Sequence, residues 1–225
     1  MGRARDLAVT HLSREPDKVL ALVAKMDLGV PEIPEGATLE YYCPMHEHVV
    51  RDAPGKCPLC SMKLLARAQT STSDPLPHEH AADEHAHVHD TSGIEWEDDM
   101  LEVNRLTTPS NTRWRLIDRA TGAEGSEIDW QFRVGDRVKI RLVNEMESDH
   151  PMHHPFHIHG AGRFLILARD GVAEPNLVWK DTVLVPTGQL VDILLDVTHA
   201  GRWMAHCHIA EHHESGMMLT FDVAA

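Results

Sequence analysis

The sequence predicts a mostly β protein, with an antiparallel sandwich or barrel over about residues 94–223 and a small Cys/His module ahead of it. Three observations predict this. Short apolar or alternating runs recur after Gly93, turn residues separate them, and the metal-binding side chains fall in a few tight clusters. In order, residues 113–118 alternate in part, 138–143 alternate cleanly, 164–167 are continuously apolar, and 183–185 and 190–195 follow at similar intervals. Val134-Gly135-Asp136 and Pro186-Thr187-Gly188 supply turn chemistry between them. No internal repeat is visible.

The chain has 225 residues with 21 basic and 35 acidic side chains, a formal charge of −14. An acidic balance with no basic block lacks the counterion-release term of nucleic-acid binding and the attraction to anionic lipid, so neither is expected as a partner. No run approaches the roughly 18 apolar residues of a spanning helix, and Met1-Gly2-Arg3-Ala4-Arg5-Asp6 does not read as a secretory signal. Export is expected to need an upstream segment. The unusual counts are 18 His and 4 Cys. Histidine at that density points to metal, and the spread of the cysteines does not fit a disulfide framework.

Four segments follow from composition. Residues 1–38, with an apolar run at 19–26 and a Pro/Gly break after it, read as the truncated tail of an upstream domain, since no partner strands are in view. Residues 39–67 form the Cys/His module, too short to bury a core without a metal. Residues 68–93 are a disordered linker carrying His78, His80, His85, His87 and His89, which bind metal weakly or act as a solvated tether. Residues 94–225 are the β domain.

Within the β domain lies His154-Pro155-Phe156-His157-Ile158-His159-Gly160. On a strand His157 and His159 share a face, which suits a metal, although solvent-facing histidines on a polar strand would look the same. Further on comes His206-Cys207-His208-Ile209-Ala210-Glu211-His212-His213-Glu214-Ser215-Gly216-Met217. A strand sends Cys207 one way and its flanking histidines the other, so one segment addresses two sites. A thiolate with two imidazoles and a weak axial thioether is the ligand set of a blue copper centre, here Cys207, His154, His212 and Met217. Taken singly, Met217 or Met218 would be core packing and Cys207 a small buried hydrophobe. The combination is what points to copper.

At these residues the chain resembles the C-terminal cupredoxin domain of the laccase-like multicopper oxidases, over about residues 93–223. The resemblance implies a Greek-key cupredoxin fold. It places His154, Cys207, His212 and Met217 at a type 1 copper, His157 at type 2, and His159, His206 and His208 at the type 3 pair. Cys207, His206 and His208 then form the catalytic electron route. A reductant such as Cu(I) or an electron-rich phenol would supply electrons, dioxygen would be reduced to water, and Met217 as axial ligand implies a modest potential. In that family the trinuclear cluster takes eight histidines, half from another cupredoxin domain, and this sequence offers only His157, His159, His206 and His208. His46-Glu47-His48, His78-Glu79-His80 and the later linker histidines are not expected to complete it, for want of strand neighbours. The missing four are expected from an upstream cupredoxin domain or another chain. The resemblance also implies a periplasmic or extracytoplasmic location and a part in copper resistance. The rivals are a copper storage or delivery fragment without turnover, a one-copper electron carrier, and a nitrite-reductase-like cupredoxin, the last weakened by histidines on both sides of Cys207.

Cys43-x-x-His46 and Cys57-x-x-Cys60 are two knuckles with zinc-ribbon spacing. The stretch resembles the heavy-metal-binding module of bacterial metal-efflux and copper-handling proteins, with Ser61 where that module more often has glycine. Zinc would make it structural and copper would make it a delivery site, and Met45 and Met62 favour Cu(I). Asp181 is expected either to orient a ligand histidine or to cap a turn. His150, His153, His199 and His213 are expected at the surface or behind the ligands.

Overall fold

The computed structural model describes residues 2–29, 34, 36–69 and 106–225. The chain opens with α1 (Gly2–Leu12) and β1 (Lys18–Met26), then passes through β2 (Leu39–Cys43), β3 (His46–Arg51) and β4 (Leu65–Ala68). It continues with β5 (Thr112–Asp118), β6 (Trp130–Arg133), β7 (Arg137–Asn144), β8 (His154–Ile158) and β9 (Gly162–Arg169). The short β10 (Val172–Ala173) and β11 (Trp179–Lys180) precede β12 (Thr182–Val185), β13 (Leu190–Val197), β14 (Gly201–Cys207), α2 (Ala210–Glu214) and β15 (Met218–Ala224). Residues 1–27 and 107–225 form one compact unit, and 28–106 form a second. The linker histidines lie outside the described residues.

The first unit is a sandwich of two sheets. One runs β10-β9-β13-β7-β1-β5, with β11 also on β9, and the other runs β12-β8-β14-β15-β6. Most pairs are antiparallel, but β1 lies parallel to β7 and β15 parallel to β6, so strands distant in sequence become neighbours. The expected strands at 113–118, 138–143, 164–167, 183–185 and 190–195 all form, and the cupredoxin-like β fold holds. Leu20, Leu22, Leu116, Ile140 and Leu142 of one sheet meet Trp130, Phe156, Leu219 and Phe221 of the other in a single buried core.

The larger sheet is covered on its outer face too. Ala4 and Ala8 of α1 seal Leu165, Leu167 and Leu194, which point away from the main core. Burial on both faces explains why residues 164–167 of β9 read as a continuous apolar run where a half-exposed strand would alternate. Lys139, 2% exposed, ties the helix down: its Nζ donates to the carbonyls of Leu12 and Arg14 at 2.8 and 2.6 Å, and lies 3.3 Å from Asp192 Oδ2. A cation at the last carbonyls of a helix offsets their partial negative charge.

The first segment needs correction. The run at 19–26 is not the tail of another domain; it is β1, lying between β5 and β7, with Leu20 opposite Asp118 in one and Leu142 in the other. Its partners come far downstream in the sequence, so no local pattern shows them. The second unit is therefore an insertion between two adjacent strands, since Met26 at the end of β1 pairs with Thr112 at the start of β5.

That second unit holds a three-stranded antiparallel sheet, β3-β2-β4, over a core of Cys43, Val49, Cys57 and Leu64. Two of those four core residues are candidate metal ligands. So small a core leaves the metal to supply much of the stability.

Candidate metal centres

Strand alternation divides the ligands of the β domain into two sets. Along β8, His154, Phe156 and Ile158 face inward and are buried. On the neighbouring strand, Cys207 is opposite Phe156 and His206 is opposite His157. Cys207 therefore joins His154 inside the sandwich, while His206 joins His157 and His159 on the outer face.

Inside, Cys207 Sγ lies 3.7 Å from His154 Nδ1 and 3.5 Å from His212 Nδ1, and the three ligand atoms fall within 4.8 Å of one another. A metal bonded to sulfur at about 2.3 Å and to nitrogen at about 2.0 Å sets an S···N separation near 3.5 Å at a tetrahedral angle, so the donors fit one ion. All three residues are buried. The ligand loop is closed by the Cys207 N–H donating to the Met217 carbonyl at 3.0 Å and the Met217 N–H to the His212 carbonyl at 2.9 Å. Met217 is fully buried, and its backbone is tied to both Cys207 and His212.

Burial holds His154 down at about 3 and His212 at about 2, with neighbouring imidazoles adding to the effect. Burial pushes the Cys207 thiol up to about 12, partly opposed by the Ile209 backbone. The imidazoles thus keep their lone pairs free at neutral pH, and the thiol gives up its proton only when a metal replaces it.

Outside, His157, His159, His206 and His208 gather on one face. The His157 ring is 4.5, 5.7 and 5.5 Å from those of His159, His206 and His208, and His206 is 5.5 Å from His208. His206 Nδ1 donates to the Cys207 carbonyl at 2.7 Å, which leaves its Nε2 as a lone pair, 2.9 Å from His159 Nε2. His157 is fixed in the same way. Its Nδ1 lies 2.9 Å from the Asp181 carbonyl and 2.9 Å from Thr182 Oγ1, freeing Nε2. Burial lowers the His157, His159 and His206 pKa values, so these rings too favour the neutral form.

Asp181 orients His157 through its backbone. Its carboxylate pairs with Arg163 at 2.9 Å and accepts from Thr182 Oγ1 at 3.1 Å. His213 stands beside the outer set, its ring 5.2 Å from that of His206. His153 accepts from the Thr187 N–H at 2.9 Å, and His199 is exposed.

In the inserted module Cys43, His46, Cys57 and Cys60 also converge within 4.8 Å. His46 Nδ1 is 3.5 Å from both Cys43 Sγ and Cys57 Sγ, and Cys43 Sγ is 3.6 Å from Cys60 Sγ, the spacing of four corners around one ion. The contact between the two sulfurs draws the Cys43 pKa down and pushes that of Cys60 up, the latter also by burial. His46 and His48 lie on β3, against the expectation that this pair lacks strand neighbours. His46 is nonetheless committed to the thiol cluster. Ser61 adopts φ 61°, the left-handed conformation that favours glycine.

Two features were not legible as functional. Trp114, on β5, stacks on His212 with ring centroids 3.6 Å apart. His150, expected at the surface or behind the ligands, is 4% exposed, and neither of its ring nitrogens has a hydrogen-bond partner. The inward alternation of β5 marks Trp114 as buried but carries no sign of what it touches.

Residues 97–225 match the multicopper oxidase family model, and residues 40–66 match the heavy metal binding domain. The first match covers more than half of the chain, which therefore belongs to the multicopper oxidase family. Among curated relatives, multicopper oxidase mco of Staphylococcus epidermidis is 35% identical over 95 residues, 41% of this chain and 21% of that protein. Iron transport multicopper oxidase fio1 of Schizosaccharomyces pombe is 31% identical over 128 residues, 47% of this chain and 20% of that protein. The crystal structure of the McoA multicopper oxidase of Aquifex aeolicus is 37% identical over 43% of this chain and 21% of its own, with a TM-score of 0.37. The chain spans about a fifth of the length of the curated relatives it matches.

Proposed function

We propose that this chain is the electron-accepting and cluster-forming part of a copper-dependent oxidase that takes electrons from Cu(I) or phenol-like donors and reduces dioxygen to water. One observation carries the reading. Three consecutive residues of β14 and the loop after it divide between two clusters, with Cys207 turned into the inner set and His206 and His208 turned to the outer one.

Copper held by Cys207, His154, His212 and Met217 would supply one-electron chemistry, and copper at the outer imidazoles the site for dioxygen. The protein's part is to bind and to position. The sandwich buries Cys207 and excludes water from its sulfur, and the ligand loop ties Met217, which would be the weak fourth ligand, to both Cys207 and His212 through backbone bonds. His206 is joined to Cys207 through the chain and again through its Nδ1 bond to the Cys207 carbonyl, which gives a short bonded route between the two sets. Thr182 and the Asp181 carbonyl hold His157 in the tautomer that offers Nε2 outward.

The outer set is half of the eight histidines such a cluster takes. The other half would come from an upstream cupredoxin domain or a second chain seated on this face. We assign the protein a periplasmic or extracytoplasmic place and a role in copper tolerance. The inserted module would hold zinc as a structural ion or Cu(I) as cargo.

Oxygen uptake tests the reading. With Cu(I) or a phenol as donor, the 225-residue monomer alone is expected to consume little or no oxygen. Supplying a cupredoxin domain with two His-x-His pairs should restore four-electron reduction. Full uptake by a monomer carrying His157→Ala and His159→Ala would overturn it. The observation favouring the second reading, storage or delivery without turnover, is the preformed thiol cluster of the module. That reading predicts copper transfer to an acceptor and no oxygen consumption with any partner domain.

A further inference from the structure

Trp114 is 7% exposed and lies against the buried ligand set from a strand that contributes no ligand to it. Its indole is parallel to the His212 ring within 21°, at a centroid distance of 3.6 Å, and meets the edge of the His154 ring at 5.5 Å and 72°. The backbone grips the same loop. The Trp114 N–H donates to Ser215 Oγ at 3.4 Å, and Ser215 Oγ in turn donates to the His212 carbonyl at 3.3 Å. The Trp114 carbonyl comes so close to Gly216 that a Cβ there would meet it at 3.0 Å, with Gly216 at φ 125°. Indole and N–H of one residue therefore hold His212 and Ser215 of the loop that runs to Met217, and its carbonyl leaves no room for a side chain at Gly216.

We propose that Trp114 is a positioning residue for the type 1 ligand His212, and that its indole face lowers the reduction potential of the copper bound there; this rests on the type 1 reading above. Two physical effects combine. His212 Nδ1 must point at the metal, and turning the ring would break a buried stack. An imidazole bound to Cu(II) also carries more positive charge than one bound to Cu(I). The indole face is the negative end of the ring quadrupole, so it favours the oxidised form. An aliphatic side chain of similar bulk would exclude water equally and lack that attraction.

The test uses the copper-loaded full chain. Trp114→Leu is expected to raise the midpoint potential, shifting the Cu(II)-to-Cu(I) ratio at fixed ambient potential by roughly two- to fivefold. It should also change the copper hyperfine splitting, with Trp114→Phe falling between it and the parent. Should the Leu variant fail to fold, the tryptophans can be replaced biosynthetically by fluorotryptophans, which weaken the π face without changing its shape. The potential should then climb with each added fluorine in the parent and stay constant in the Trp114→Phe background. A folded Trp114→Leu with the parent's potential and hyperfine splitting would overturn the proposal, as would a fluorine series equal in both backgrounds. Failure of the type 1 reading is distinguishable, because the parent itself would then form no blue centre.

Discussion

The inserted module and the β domain each bring a Cys/His set together, and they do so by opposite means. The module's ligands come from one short segment, residues 43–60, and two of them make up half of its small core. The β domain's buried candidate ligands, His154, Cys207 and His212, come from β8, β14 and α2, and interstrand registers of the sandwich bring the first two together. In the module the site makes the fold, whereas in the β domain the fold makes the site. Metal binding is then folding energy in one and a late addition to a finished pocket in the other.

Chelation should break the comparison open. Stripping metal from the full chain is expected to remove amide-exchange protection from residues 39–68 and leave 112–224 protected. The loss should be large, since structural metal contributes on the order of 10 kcal/mol to such modules. Equal loss in both units would contradict the distinction.

The next effect lies in the β domain alone. Asp192, 6% exposed, accepts from Arg141 Nε and Nη2 at 2.7 and 2.9 Å and lies beside buried Lys139. Burial alone would raise its pKa, but the Arg141 bonds and the Lys139 charge outweigh it and hold the carboxyl below its ordinary value. Its stabilising contribution is therefore present above the ordinary carboxylate range and lost as pH falls through the depressed native value. Asp192→Ala, which leaves the buried Lys139 charge with carbonyl partners but no carboxylate, should cost about 3 kcal/mol in denaturant unfolding of this unit. The module's melting should not change.

The smallest effect sharpens the module side. Ser61 sits at φ 61° where glycine carries no penalty, so Ser61→Gly should stabilise the metal-loaded module by about 1 kcal/mol, read as a higher melting temperature. A fall would mean that the serine side chain contributes more than its backbone costs.

Much of this was legible in the sequence because period-2 alternation is a local property. His154, Phe156 and Ile158 facing in, with His157 facing out, follows from strand geometry alone, as does the opposition of Cys207 to His206 and His208. The module was legible through its knuckle spacing. What local pattern could not show was partnership at long range. β1 was misplaced because a strand buried on both faces carries no alternation, and its neighbours β5 and β7 lie on the far side of the insertion, residues 28–106. Trp114 was missed for the same reason, since its stack on His212 depends on how β5 closes over the ligand loop. Asp181 was found as a residue but not as an atom, because it orients His157 through a carbonyl that every residue type possesses.

The central claim is that Cys207 bonds a copper ion inside the sandwich, and visible absorption of the copper-loaded chain tests it most directly. The account predicts an intense sulfur-to-copper band in the oxidised protein that vanishes in Cys207→Ser and survives Cys43→Ser. A colourless parent, or a band untouched by Cys207→Ser, would contradict it.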